Sequence, residues 1–171
     1  SSLHSLKLGK DFADKNNIKN IIFVRGDIFD KNFQDESFDF IWCNGVLHHT
    51  KNPYESFKCL VPCLKKNGYI LLGLYNKIGR FRTKFRKYVY KFFGKKIVIK
   101  LDPVLRNIPN DSQDKINAWI KDQYTHPVEH TLTFDEILSW FKANNIEFIN
   151  SIPGCLLFDN TKKKLFEKTS E

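Results

Sequence analysis

The residues whose types and spacing best suit chemistry are Asn44 and Gly45, which end the apolar run Phe38-Asp39-Phe40-Ile41-Trp42-Cys43 and lead into Val46-Leu47-His48-His49. An apolar run that stops abruptly at a small polar residue and a glycine reads as a buried parallel strand. Its carboxyl end opens into a loop, where open α/β sheets hold ligands. A ligand is therefore expected near Asn44. His48 and His49 follow at once, and unperturbed imidazole titrates near neutral pH, so either could act as a base. Packing inside the turn is the reading we prefer for them, and no residue type identifies the catalytic group.

Metal chemistry finds no complete ligand set. The four cysteines, Cys43, Cys59, Cys63 and Cys155, contain no C-x-x-C pair. Cys59 and Cys63 stand one helical turn apart, but two thiols without nearby histidines are half a site, and buried free thiols are the expectation. His126 and His130 flank Pro127, which interferes with a regular helix. No metal is expected.

The elements that must position these residues alternate along the chain. Residues 3–15 read as a helix and 21–24 as a strand. The strand over 38–43 comes next, and Tyr54, Phe57, Leu60, Val61 and Leu64 line one helical face. Pro62 is expected to kink that helix near its end, Asn67-Gly68 to close it, and residues 69–75 to form another buried strand. Thr133-Phe134-Asp135-Glu136 is a capping-box start for a helix with Ile137, Leu138, Trp140 and Phe141 on its apolar stripe. Residues 146–152 read as a last strand before Pro153-Gly154 breaks the pattern. Strands separated by helical segments imply crossover units and a mainly parallel sheet.

The stretch from Val24-Arg25-Gly26-Asp27 through Asp35-Glu36-Ser37-Phe38-Asp39 and Val46-Leu47-His48-His49 to Leu64-Lys65-Lys66-Asn67-Gly68-Tyr69 resembles the middle of a class I S-adenosylmethionine-dependent methyltransferase. The likeness is close over roughly residues 20–76 and looser over 131–153. It implies an α/β, Rossmann-like methyltransferase fold, truncated at the N-terminus, with a mainly parallel sheet, flanking helices and a helical insertion. The domains expected are 1–76 as the C-terminal part of the core, 77–130 as a basic helical insertion or lid, and 131–171 as the return to the core and tail.

By the same resemblance S-adenosylmethionine is the cofactor. Asp27 falls at the adenine amino group, with the Ile28 amide beside the ring; a carboxylate can accept that N–H, and a turn-forming Gly-Asp is the structural alternative. Cys43, Asn44 and Gly45 pass the methionine portion, Gly45 because it has no side chain in the way, and Leu47 and His48 pack close by. His49, Tyr75, Asn76 and Arg80 fall on the side of the methyl acceptor, an unidentified small molecule. Trp119 and Tyr124 could line the lid or form its own small core.

The chain departs from the family where the cofactor is gripped. No two of its eight glycines are separated by a single residue, so it has no G-x-G-x-G turn, and no acid-ended second strand precedes residue 21. Binding of the cofactor is expected to be weak. In the family's strand order, 3-2-1-4-5-7-6, the strands expected at 21–24 and 38–43 would be left with unpaired edges, which favours a homodimer. The sequence contains no methionine and starts Ser1-Ser2, from which a chain incomplete at its start is expected.

Composition adds one further feature. The net charge is +9, yet residues 77–100 hold ten basic residues and no acidic one, while the rest of the chain carries 18 basic and 19 acidic. Phe81, Phe85, Val89, Phe92 and Phe93 recur there at helical spacing, giving a basic amphipathic helix. Its aromatic stripe could pack on the core, or the helix could meet an anionic substrate, a membrane surface or nucleic acid. No RNA-binding signature is present. A non-catalytic scaffold docking on an anionic partner is the alternative to an enzyme. Without a signal-peptide layout or a long apolar segment, a cytoplasmic protein is expected.

Overall fold

The computed structural model describes residues 3–109, 112–125 and 128–152, so His126, Pro127, Pro153, Gly154 and Cys155 lie outside the described residues. The chain divides into two compact units, Ser1–Gly73 and Leu74–Glu171.

The first unit opens with α1 (Leu3–Lys15), as its periodicity predicts. Leu6, Gly9 and Ala13 share its covered face, and Gly9 is small for a reason: a Cβ there would stand 2.9 Å from the Phe23 ring. Leu3, Leu8 and Phe12 stay exposed.

The predicted strand over 21–24 does not form: these residues have no ladder partner, and Ile22 is 88% exposed. Strand propensity by itself cannot satisfy backbone donors and acceptors, which need a neighbouring chain segment.

β1 (Phe38–Asn44) pairs in parallel with β2 (Leu64–Gly73), in register from Phe40 opposite Tyr69 to Asn44 opposite Gly73. Among the described residues these two strands are the whole sheet. The expectation of a buried β1 is corrected in part. Cys43 is buried, but Phe40 and Trp42, on the opposite face, are 43% and 63% exposed and meet edge to face. A strand is buried on both faces only when helices cover both, and here one face is open.

α2 (Pro53–Leu60) is set by Asn52, whose Oδ1 accepts from the Tyr54 and Glu55 amides at 3.1 and 3.2 Å, with Pro53 at the first helical position. Phe57 anchors it, with no exposed surface. The helix stops at Leu60 where a kink at Pro62 was expected; Val61–Cys63 make one 3₁₀ turn instead. Asn67-Gly68 does not close the helix either. Both lie inside β2, where an irregular register between Phe38 and Phe40 accommodates Asn67 at φ 63°.

In the second unit, β2 having ended at Gly73 and not at Tyr75, Asn76 makes a parallel bridge to Leu132. Four helices follow: α3 (Phe81–Phe93), α4 (Lys95–Leu101), α5 (Pro103–Asn107) and α6 (Gln113–Tyr124). Their core is Val98, Leu105, Ile116, Ile120 and Tyr124, with Val89, Tyr90 and Trp119 packed against it. Trp119 and Tyr124 thus belong to a small core. α7 (Phe134–Ala143) carries the predicted capping box: the Thr133 hydroxyl accepts from the Glu136 amide, and the Glu136 carboxylate accepts from the Thr133 amide at 2.6 Å. Residues 146–152, read as a last strand, carry no strand assignment among the described residues. Among the described residues no helix is long and apolar enough to cross a membrane.

Candidate functional site

The carboxyl end of β1 is built by two glycines. Gly45 takes φ 75°, a conformation that disfavours any side chain, and nothing lies within 4 Å of where its Cβ would be. Its amide donates to the Gly73 carbonyl at 3.0 Å, carrying the ladder one residue past the strand. At Gly73 the situation is reversed: a Cβ would overlap the Asn44 side-chain oxygen and stand 3.0 Å from the Asn44 Cα. Asn44 thus lies across Gly73, and it is itself exposed.

This predicts a specific variant phenotype. Gly73→Ala is expected to displace the Asn44 side chain and cost about 1–3 kcal/mol of unfolding free energy. Adding Asn44→Ala should recover part of that loss in chemical denaturation, because the overlap is then gone.

Beyond Gly45 the chain makes one tight turn, Leu47–His49. Leu47 and His48 are buried at 0% and 1% exposure, and the His48 and His49 rings meet at 4.3 Å. Thr50 donates its hydroxyl to the Leu47 carbonyl at 2.7 Å, and Ser56 of α2 donates to Thr50 Oγ1 at 2.9 Å, tying the turn to the helix. The depth of His48 suits packing. Burial pushes the Cys43 thiol up, against an opposing pull from the Leu47 amide, so Cys43 stays a neutral, unreactive neighbour at pH 7.

The structure thereby brings Cys43, Asn44, Gly45, Leu47, His48 and His49 into one short turn. Asp27 and Ile28 sit elsewhere in the same unit. Asp27 is exposed, and its Oδ1 accepts from the Phe29 amide at 3.1 Å while its carbonyl accepts from the Asp30 amide, the geometry of an Asx turn. The second carboxylate oxygen is what Asp27 has for another partner.

Tyr75, Asn76 and Arg80 belong to the second unit. The Asn76 side chain accepts from the Ile78 and Gly79 amides at 2.9 and 3.1 Å, holding the turn that starts α3. Arg80 is 9% exposed. It makes a two-pronged ion pair with Glu129 (3.0 and 2.8 Å), donates to Gln123 at 2.6 Å and lies 3.9 Å over the Tyr75 ring.

Sequence reading missed this clamp and a second one at Asp102. The Asp102 carboxylate accepts from the Val104 and Leu105 amides, from Trp119 Nε1 at 3.1 Å and from the Tyr124 hydroxyl. Asp102-Pro103 is a helix-start signal that would have exposed half of it. Nothing local marks Glu129 as the partner of a residue 49 positions earlier. Among the described residues, no group of three or more His, Cys, Asp or Glu is placed to hold a metal ion.

Comparison with known proteins points one way. Residues 2–72 match the model of the methyltransferase domain family, a match that reaches back through α1 and stops at β2. Two solved structures share the fold. The YcgJ protein of Bacillus subtilis is 21% identical with a TM-score of 0.51, and a candidate methyltransferase, BH2331 from Bacillus halodurans C-125, is 19% identical with a TM-score of 0.52. Each covers 84% of this chain, which spans about half the length of either, 48% and 49%.

Proposed function

We propose, from the match of residues 2–72 to the methyltransferase domain family, that the chain is of the class I S-adenosylmethionine-dependent methyltransferase family and supplies the methionine-side wall of a cofactor cleft serving methyl transfer to a small acceptor. S-adenosylmethionine is the family's usual cofactor, and when bound it supplies a methyl group activated by a sulfonium.

The observation that carries the reading is the open backbone at Gly45. With φ 75° and empty space on its Cβ side, it lets a ligand approach the main chain at the carboxyl end of β1, where open sheets bind ligands. The exposed Asn44 amide stands beside it as donor and acceptor, and Leu47 and His48 form the packed backing. Asp27 would accept the adenine amino group through its second oxygen, with the Ile28 amide next to it. His49 is the acceptor-side candidate of the first unit; within the second unit the candidate is Tyr75, with Asn76 and Arg80 as positioning residues that hold the turn before α3 and the ring of Tyr75.

Without a G-x-G-x-G turn in the sequence, affinity should be low. Calorimetric titration of S-adenosylmethionine is expected to give a dissociation constant weaker than about 0.1 mM, a binding free energy less favourable than about −5.5 kcal/mol. Asn44→Ala should weaken it further with the circular dichroism spectrum unchanged. Low-micromolar binding would overturn the weak-affinity reading, and no heat at millimolar cofactor would overturn the cleft itself. The second reading is a non-catalytic scaffold, favoured by the exposed basic helix α3. Salt-sensitive docking on an anionic partner, with no methyl transfer under saturating cofactor, selects it.

A further inference from the structure

α3 wears its most apolar stripe on the outside. Phe81, Phe85, Tyr88 and Phe92 stand at i, i+4, i+7 and i+11, a single line along the helix, and are 73%, 62%, 65% and 74% exposed. The half-buried side of the helix is instead Thr83, Arg86, Lys87, Val89 and Tyr90. Four rings of this size leave on the order of 400–600 Å² of aromatic surface in one strip, at or above the largest apolar patch of an ordinary monomer. A helix turned this way has its own occupant for that strip.

The surrounding charge identifies the occupant. Lys84 and Lys91 run along one flank of the strip and Arg82 along the other, within a segment that has ten basic residues and no acid. A second copy of the chain would bring two such segments together, which like-charge repulsion opposes. Single-stranded nucleic acid is bound in grooves that track its backbone, whereas the strip is the convex crest of one helix. Phenylalanines on one face with flanking lysines and arginines are what a helix needs to lie in the interface of an anionic bilayer, rings among the acyl chains and cations at the phosphates.

Beside the strip, Lys84, Lys87, Tyr88 and Lys91 wall an open recess of about 510 Å³ floored by Tyr90 and Tyr124. Glu129 also lines it, but both its carboxylate oxygens face Arg80. Three lysines therefore line the recess next to the strip, Lys84 also donating to Thr131 Oγ1 at 2.9 Å.

We propose that α3 docks the protein peripherally on an anionic phospholipid surface, with Phe81, Phe85, Tyr88 and Phe92 inserted at the headgroup boundary. The inference rests on the α3 surface and not on the methyltransferase reading, so absence of cofactor binding leaves it standing.

The test is co-sedimentation of the full chain with phosphatidylcholine vesicles, with and without phosphatidylserine. Binding is expected only when phosphatidylserine is present, falling about tenfold or more as salt is raised past physiological strength. F85S/F92S should weaken that binding by about tenfold or more. Its far-ultraviolet circular dichroism should not change, since both rings are already in solvent. Lys84→Glu with Lys91→Glu should do the same through charge. The proposal fails if the chain ignores both vesicle types or binds them equally. It fails too if F85S/F92S binds like the parent, or if a single-stranded RNA oligonucleotide is retained where anionic vesicles are not.

Discussion

Asp102→Ala is expected to remove about 3–5 kcal/mol from the unfolding free energy, the range for deleting one partner of a buried charged network. Asp102 is 3% exposed, and its two oxygens serve four donors. Alanine would strand the Trp119 indole N–H and the Tyr124 hydroxyl in the core and leave the first turn of α5 uncapped. Asp102→Asn should cost less, since its amide oxygen still caps the helix. Chemical denaturation followed by tryptophan fluorescence reads the change, because Trp119 is bonded to the substituted group.

The same carboxylate makes stability depend on pH with a definite sign. Burial pushes the Asp102 carboxyl up, but the hydrogen bonds from Tyr124, Trp119 and the two amides outweigh it, and the net shift is downward. Tyr124 is pushed the other way, by burial first and then by Asp102, so it stays protonated and remains a donor at neutral pH. A carboxyl lowered in the folded state takes up its proton more readily in the unfolded chain. Its contribution is therefore complete above the ordinary aspartate value of about 4 and is lost as the pH falls through the folded value. Asp102→Ala should flatten that acid limb; an unchanged limb would assign acid unfolding to other groups.

Arg80→Ala is expected to be comparably damaging, about 3–5 kcal/mol, because it leaves Glu129 as an uncompensated buried carboxylate. The side chains of the pair are only 10% and 8% exposed. Replacing both, as Arg80→Met with Glu129→Leu, should restore most of the loss, since a buried ion pair and an apolar pair of similar volume are close in free energy. Arg80→Lys should recover little. A lysine cannot hold Glu129 with two prongs, donate to Gln123 and lie flat on Tyr75 together. A double-mutant cycle by denaturation separates these outcomes, and an Arg80→Ala cost under about 1 kcal/mol would mean the pair is screened by solvent.

The candidate site was legible in the sequence to the extent that it is local. Asn44-Gly45 after an apolar run located the turn, because a positive φ next to a strand end calls for glycine. The histidines' depth was not legible, since it depends on α2 closing over the turn through Ser56 and Thr50. Tyr75 and Asn76 were read as the end of a strand that the structure ends at Gly73, and Arg80 as an acceptor-side residue. Asn76 is held by its own turn, a local interaction, whereas the binding of Arg80 by a carboxylate 49 residues away is a long-range fact.

What the chain's order of residues determined by itself is three of its helices and its charge. α1, α3 and α7 stand where periodicity and the Thr133 capping box place them, since helical hydrogen bonds close within four residues and need no distant partner. The run of ten cations is likewise a property of composition alone. Tertiary structure decided the rest. Residues 21–24 have strand-like composition but no ladder among the described residues, because a strand exists only when another segment meets it. It also decided which way α3 faces: of the apolar line read from periodicity, Val89 packs with Tyr90 against the core of α4, α5 and α6, while Phe81, Phe85, Phe92 and Phe93 stay exposed.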